Sequence, residues 1–175
     1  SALAAHLTPF KRWYAQPGTP ALRARGDFDA PHRRYTLTLT QSGPYGSAPM
    51  VLPVAMGLVA TDGHALALRL QGEAEASGTE RVLVLTQAEQ RFVFEDIDVA
   101  PVPSLLRGFS APVLLDDGLI DTERLVLLQH DPDAYVRWES AQRLGLSRLL
   151  AALPGDAALV LDEGYLGAMR DVLRH

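Results

Sequence analysis

Histidines are the residues that most directly suggest metal chemistry, and the chain contains five: His6, His32, His64, His130 and His175. Zinc peptidases commonly hold their metal with two histidines four residues apart, beside a glutamate that acts on the bound water. None of the five histidines has another histidine four residues away. Histidines in turns or at helix ends are more often solvated than ligating. We therefore predict no metal-ligating residue and no cofactor in this chain.

Neighbouring carboxylates are the second candidate source of chemistry, at Asp96 and Asp98, Asp116 and Asp117, and Asp162 and Glu163. Acid–base catalysis needs two carboxylates in different environments, so that their pKa values separate. Asp116 and Asp117 fall in a predicted linker, where we expect both to be solvated. Asp96 and Asp98 could bind a cation at a strand end, but no nearby residue completes a ligand set. Solvated loops are the favoured interpretation.

Nucleophile and nucleotide motifs are also missing. Gly108-Phe109-Ser110 lacks the second glycine of a serine-hydrolase elbow, because Pro112 stands in its place. Neither a phosphate-binding loop nor a dinucleotide-binding glycine motif occurs. With no cysteine in the chain, disulfides, thiolate zinc sites and cysteine nucleophiles are excluded. We predict no catalytic or cofactor-binding residue, and we expect a reducing, cytoplasmic location.

The composition is that of a soluble globular protein, with 47% hydrophobic and 21% charged residues. The net charge of -5 and the scattered arginines argue against a nucleic-acid partner. No apolar run approaches the roughly 20 residues that a membrane helix needs. We therefore expect neither a nucleic-acid nor a membrane partner.

The first two thirds of the chain predict strands. Tyr35, Leu37 and Leu39 alternate with threonines, which is typical of an antiparallel strand with one solvated face. Turn residues recur at short intervals, among them Asp62-Gly63, which indicates a hairpin, and Pro101-Val102-Pro103, which we interpret as a break. Further strands are predicted at residues 21–28, 50–60, 81–86, 90–99 and 110–115. This pattern is mainly β and favours an immunoglobulin-like antiparallel β-sandwich, although a small open barrel would give a similar one.

An α-helical segment is predicted to follow the sandwich. Asp121 is a candidate N-cap for a helix that ends at His130. Asp131 followed by Pro132 is a candidate N-cap for a second helix. We expect the aromatic residues of this second helix to face the sandwich and Arg137 to face solvent. These aromatics are Tyr135 and Trp138. Asp156 is a candidate cap for a third helix. We predict a linker at residues 1–18, a sandwich domain at residues 19–117, and the first part of a helical domain at residues 118–175.

Four segments resemble the bacterial alanyl branch of the aminopeptidase N family, in the order of that family. The most specific is residues 101–113, Pro-Val-Pro-Ser-Leu-Leu-Arg-Gly-Phe-Ser-Ala-Pro-Val. The others are residues 10–20, Phe-Lys-Arg-Trp-Tyr-Ala-Gln-Pro-Gly-Thr-Pro; residues 86–94, which contain Thr-Gln-Ala-Glu-Gln and Phe-Val-Phe; and Arg-Trp-Glu at 137–139 with Gln142. Gly167-Ala168-Met169 does not count, because Arg170-Asp171 replace the Glu-Asn of the family's substrate-binding motif.

The resemblance implies a zinc-dependent exopeptidase that removes N-terminal residues from peptides. In that family two histidines and a glutamate hold the zinc on a separate catalytic domain, which would precede residue 1 here. The resemblance therefore implies a fragment that is inactive alone and that bridges the catalytic domain and the C-terminal helical domain. These two domains would be its partners, and peptides would be the substrates of the parent enzyme.

Two other functions stay open. A free-standing β-sandwich could bind peptide or sugar through loop aromatics, of which Tyr45 is the clearest. An enzyme in its own right would need a convergent site that no motif locates. We also predict homodimerisation through apolar surface left uncovered on the last helix.

Overall fold

The computed structural model describes residues 18–43, 48–152 and 163–174. In these ranges eight strands form two sheets, and three α-helices follow them. The strands are β1 (Ala21–Asp29), β2 (Arg34–Ser42), β3 (Leu52–Ala60), β4 (Arg69–Leu70), β5 (Arg81–Leu85), β6 (Glu89–Glu95), β7 (Pro101–Leu105) and β8 (Leu114–Asp116). The helices are α1 (Asp121–His130), α2 (Ala134–Ala152) and α3 (Glu163–Arg174). The predictions for residues 1–17, Tyr45, Asp156 and Asp162 lie outside the described residues.

The two sheets pack face to face around one core. The larger sheet has the order β4-β6-β2-β1-β8, and the smaller has the order β5-β3-β7. Leu37 and Leu39 of β2 meet Val54 and Met56 of β3 in a cluster closed by Phe94 of β6. All five side chains are fully buried. The predicted β-sandwich is confirmed, and the separation into two sheets excludes the barrel.

The strand at β7 corrects one sequence prediction. Pro101-Val102-Pro103 forms the beginning of a strand rather than a break, with Pro103 opposite Leu58 and Ser104 opposite Gly57. β7 is the edge of the smaller sheet and pairs only with β3. An edge strand needs ladder hydrogen bonds on one side only, which is why it tolerates prolines.

The Asp62-Gly63 turn forms as predicted. Gly63 has a φ of 95°, and its N–H donates to the carbonyl of Ala60 at 2.9 Å. The returning chain pairs with β3 only at the bridge between Val59 and Ala65, so the hairpin has one short arm. A positive φ of this size is a conformation that glycine adopts without steric cost.

Both helix caps differ from the predictions. Asp121 is the first residue of α1 rather than its cap, and the N–H of Ile120 donates to the Glu123 carboxylate at 2.9 Å. α2 is capped by Asp133, whose Oδ1 accepts the N–H of Val136 at 2.9 Å. The assignment of the cap to Asp131 was wrong because that side chain is used elsewhere, at the junction described below.

The phase of α2 is also different from the prediction. Val136, Ser140 and Leu144 are buried, whereas Trp138 is exposed. These three buried residues are spaced by four and therefore share one face of the helix. Arg137 does not point freely into solvent, because its Nη1 donates to the carbonyl of Asp131 at 2.7 Å. The expectation that Trp138 faces the sandwich was wrong.

The three helices form their own small core. Leu128 of α1, Leu144 of α2 and Ala168 of α3 are fully buried against one another, with Tyr165 and Met169 packed at the border. No described helix is both long and apolar enough to cross a membrane.

Candidate functional site at the junction of sheets and helices

Each of the three described histidines contacts a residue of a turn. His32 lies 2.8 Å from Asp29 of its own turn, His64 contacts Asp62, and the ring of His130 lies against Gly63. Within residues 18–43, 48–152 and 163–174, no three His, Asp or Glu side chains come together as a metal-binding group. The residues of the described part therefore do not fit the zinc that the resemblance implies. His6 and His175 lie outside it.

The paired carboxylates form ion pairs with arginines instead of converging on one site. Asp96 accepts from Arg69 at 2.8 Å, and Asp98 accepts from Arg33 at 2.6 Å. The hydrogen bond from Arg33 to Asp98 raises the pKa of Arg33. Each of these two carboxylates therefore has an arginine partner, and Arg69 also pairs with Glu95 at 3.0 Å.

Asp116 and Asp117 have different environments, contrary to the prediction that both are solvated. Asp116 is half exposed and accepts from Arg25 at 2.9 Å; this hydrogen bond is the main cause of its lowered pKa. The side chain of Asp117 is only 8% exposed and accepts from Arg124 at 2.6 Å. A buried carboxylate needs such a partner because desolvation of an unpaired charge is costly.

A buried arginine between the sandwich and the helices is the most unusual feature of the molecule. The side chain of Arg107 is 3% exposed, and its guanidinium group bonds three parts of the chain. Nε donates to the hydroxyl of Ser104 at 2.8 Å, Nη1 to Glu80 at 3.2 Å, and Nη2 to Asp131 at 3.4 Å. Ser104 belongs to β7, Glu80 precedes β5, and Asp131 lies at the corner between α1 and α2. One side chain therefore connects both edges of the smaller sheet to the helices.

Gly57 in the middle of β3 makes room for this arginine. A Cβ atom at position 57 would lie 2.5 Å from the guanidinium carbon of Arg107. That distance is far below a van der Waals contact, so the planar group lies directly on the backbone of β3. A glycine inside a strand commonly marks such a close approach.

The backbone around Arg107 is held in an uncommon conformation. Leu106 and Phe109 have φ angles of 59° and 54°, in the left-handed region that residues other than glycine rarely adopt. The N–H of Gly108 donates to Oδ2 of Asp133 at 2.9 Å, and the Phe109 ring makes an edge contact with Tyr135 at 5.3 Å between centroids. Such conformations persist only where surrounding contacts determine them, and here the contacts come from the helices.

A second group of charges holds the other end of the junction. Asp117, directly after β8, pairs with Arg124 of α1 at 2.6 Å and with Arg143 of α2 at 3.5 Å. Arg143 also pairs with Glu139 at 2.7 Å and donates to the carbonyl of Leu115 at 2.9 Å. The connection between sheet and helices is thus fixed by side chains from both sides.

Apolar contacts fill the space between these two charged groups. Val59 of β3 and Val102 of β7 pack against Leu127 of α1 and Val136 of α2. All four side chains are buried. The charged side chains on both sides of this apolar contact are paired with one another, Arg107 with Glu80 and Asp131, and Arg124 and Arg143 with Asp117.

The sequence did not indicate Arg107 as a functional residue. Its two charged partners lie 24 and 27 positions away in the chain, at Asp131 and Glu80. Two features of the sequence could have indicated the site. Gly57 is the one residue without a side chain in the apolar run at residues 51–60, and Arg107 itself lies in residues 101–113, the segment that most specifically resembles a known family.

Comparisons with known proteins agree with this architecture. Residues 18–118 match the family model described as "Domain of unknown function (DUF3458) Ig-like fold", and residues 121–175 match the model described as "DUF3458_C" with ARM repeats. Aminopeptidase N of Escherichia coli (strain K12) is 37% identical over 143 residues, which cover 79% of this chain and 16% of that protein. Aminopeptidase N of Caulobacter vibrioides is 38% identical over 168 residues, covering 93% of this chain and 18% of that protein.

A solved structure matches almost the entire chain. The crystal structure of Legionella pneumophila aminopeptidase A in complex with aspartic acid superposes with a TM-score of 0.79 at 25% identity, over 97% of this chain and 18% of that one. The chain spans only 16 to 20% of the length of the two aminopeptidases N named above and of a third, from Haemophilus influenzae. It therefore matches a small region of much longer proteins. The family match and these identities establish that the chain belongs to the aminopeptidase N family, in which it corresponds to the Ig-like DUF3458 region and the ARM-repeat segment that follows it.

Proposed function

We propose that this chain is a non-catalytic segment of a zinc-dependent aminopeptidase that removes N-terminal residues from peptides. Its role is to bridge the catalytic domain of that enzyme and its C-terminal helical domain, and to fix their relative position. The observation that carries the proposal is the buried Arg107, which bonds Ser104, Glu80 and Asp131 at once. A side chain with this geometry serves to hold a sheet and a helical unit in one arrangement.

Two further features support the bridging role. The sandwich presents two sheets and can therefore pack a different element on each side. The second charged group, centred on Asp117, prevents free rotation where the chain passes from β8 to α1. We accordingly propose a domain division into residues 19–117 and 118–175, joined by a rigid rather than a hinged connection.

The zinc and the substrate site belong, in this proposal, to parts of the enzyme outside these 175 residues. The described histidines contact turn residues, and the described carboxylates discussed above are paired with arginines. We propose a cytoplasmic location because the chain contains no cysteine that could form a stabilising disulfide.

The test compares two proteins made in the same host, the product of the complete gene and the 175-residue chain. Hydrolysis of alanyl-p-nitroanilide is measured for both, with and without a zinc chelator. We expect chelator-sensitive hydrolysis by the complete product and none by the 175-residue chain. Hydrolysis by the 175-residue chain itself would contradict the proposal in favour of an enzyme. An inactive complete product, together with peptide or sugar binding by the isolated chain in calorimetry, would support a recognition module instead.

A further inference from the structure

A buried serine of α2 differs from its surroundings because its hydroxyl group has no partner. Ser140 is 3% exposed and lies between Val136 and Leu144 on the buried face of the helix. Within the described ranges its hydroxyl makes no hydrogen bond, not even the one to the carbonyl of Val136 that helical serines often make. Ser104, which is equally buried, is bonded by Nε of Arg107 at 2.8 Å. Buried polar groups nearly always have such a partner, because leaving one unpaired costs free energy.

Ser140 lines a small cavity beside the second charged group of the junction. The space open to the centre of a water molecule in this cavity is about 10 Å³. Leu105 of β7 and Leu127 of α1 contribute to its apolar side, and Asp117, Glu139 and Ser140 contribute to its polar side. A polar space of this size admits a single water molecule and is too small for an organic ligand.

The two carboxylates at the cavity can accept further hydrogen bonds. The side chains of Asp117 and Glu139 are 8% and 23% exposed. Both hydrogen bonds from Arg143 to Glu139 go to Oε1, at 3.1 and 2.7 Å, and so use only one of its two oxygens. An ionised carboxylate offers about four acceptor sites. One water molecule can therefore accept a hydrogen bond from the hydroxyl of Ser140 and donate to both carboxylates.

We propose that this cavity is a binding site for one ordered water molecule, held by the hydroxyl of Ser140 and the carboxylates of Asp117 and Glu139. The water bonds α2 to the residue directly after β8, beside the ion pairs of Asp117 with Arg124 and Arg143. It explains why a polar side chain occupies position 140 on an otherwise apolar helix face. A water bridge is nearly as favourable in enthalpy as a direct hydrogen bond, so it adds a further connection between the sandwich and the helices. The inference does not depend on any activity of a parent enzyme.

Crystal structures of the 175-residue chain and of its Ser140→Val variant test the site. In the wild type we expect one electron-density peak about 2.7–3.2 Å from Oγ of Ser140 and from a carboxylate oxygen of Asp117 or Glu139. Valine removes the hydroxyl, and its additional methyl group occupies part of the cavity. We therefore expect the peak to be lost in the variant while the ion pairs of Asp117 remain. The wild-type structure tests the proposal even if the variant fails to fold.

Three results would overturn the inference. The first is a wild-type cavity without a peak, with the hydroxyl of Ser140 donating to the carbonyl of Val136 instead. The second is a peak that persists unchanged in Ser140→Val, because the serine would then not hold the water. The third is a peak with contacts of about 2.3–2.6 Å to roughly six oxygen atoms, which would identify a metal cation instead of water.

Discussion

Replacing Arg107 by methionine tests whether the junction depends on its buried charges. The substitution keeps an unbranched side chain of moderate length on Gly57 but removes all three donors. Among the described residues, it leaves the fully buried side chain of Asp131 with the N–H of Asp133, at 2.8 Å, as its remaining hydrogen-bond donor. The glutamate partner, Glu80, is more than half exposed and can be solvated in place. The expected cost therefore comes mainly from Asp131.

The magnitude follows from the burial of the pair. Removing one partner of a buried ion pair costs about 3–5 kcal/mol, because the other charge stays uncompensated. With a urea m value of about 2 kcal/mol/M, the unfolding midpoint should fall by roughly 1.5–2.5 M. Urea unfolding followed by circular dichroism measures this shift. Because Asp131 carries the cost, Arg107→Met combined with Asp131→Asn should recover part of the lost stability.

Arg25→Met provides the matched control. Arg25 also makes two hydrogen bonds to one aspartate, Asp116, at 3.1 and 2.9 Å, but both side chains are about half exposed. Exposed ion pairs contribute little to stability, so we expect no resolvable change in the midpoint. Equal shifts of the unfolding midpoint in Arg107→Met and Arg25→Met would refute the claim that the buried ion pair of Arg107 and Asp131 stabilises the junction more than an exposed pair does.

Three further predictions concern single positions. Gly57→Ala should destabilise the wild type by about 2–3 kcal/mol, by displacing the guanidinium group, and should cost clearly less when Arg107 is already alanine; equal costs in urea titrations would contradict the contact. The pKa of Glu73 is lowered to about 2, chiefly by hydrogen bonds from Arg81, so its stabilisation is complete above its ordinary pKa of 4.5 and is lost as the pH falls towards 2. Glu73→Gln should therefore be less stable at pH 7 and converge with the wild type on acidification, and a pH-independent difference would argue against this. The homodimer predicted from the sequence used the last helix, whereas the exposed Leu149 lies on α2; if α2 takes part in self-association, Leu149→Glu should reduce it in light scattering, and a wild type that is monomeric at high concentration would exclude the homodimer.

The sandwich could be predicted from the sequence because its strands follow local rules. The alternation of Tyr35, Leu37 and Leu39 with threonines fixes which face of β2 is buried, and no other part of the chain changes that result. β7 was missed because its two prolines forbid a central strand. Only its position at the sheet edge, which depends on the pairing of distant segments, permits them.

The helices and the junction were predicted less well for a related reason. Trp138 was expected inside because it is large and aromatic, but Val136 and Leu144 set the phase of α2 through contacts with α1 and the sheet. The hydrogen bonds of Arg107 join residues from separate segments of the chain, and no local sequence spacing predicts such contacts. Tertiary contacts decide both features, so only the folded arrangement reveals them.

The central claim, that this chain positions the parts of a larger enzyme, is tested most directly by Arg107→Met in the complete gene product. Zinc content by mass spectrometry and hydrolysis of alanyl-p-nitroanilide are measured for the wild type, Arg107→Met and Arg25→Met at a temperature where all three are folded. We predict unchanged zinc content in all three and a loss of activity of about tenfold or more only in Arg107→Met, because a small misplacement of domains far from the chemistry is costly for catalysis. Full activity of Arg107→Met, at unchanged zinc content, would contradict the claim that the junction positions the catalytic domain.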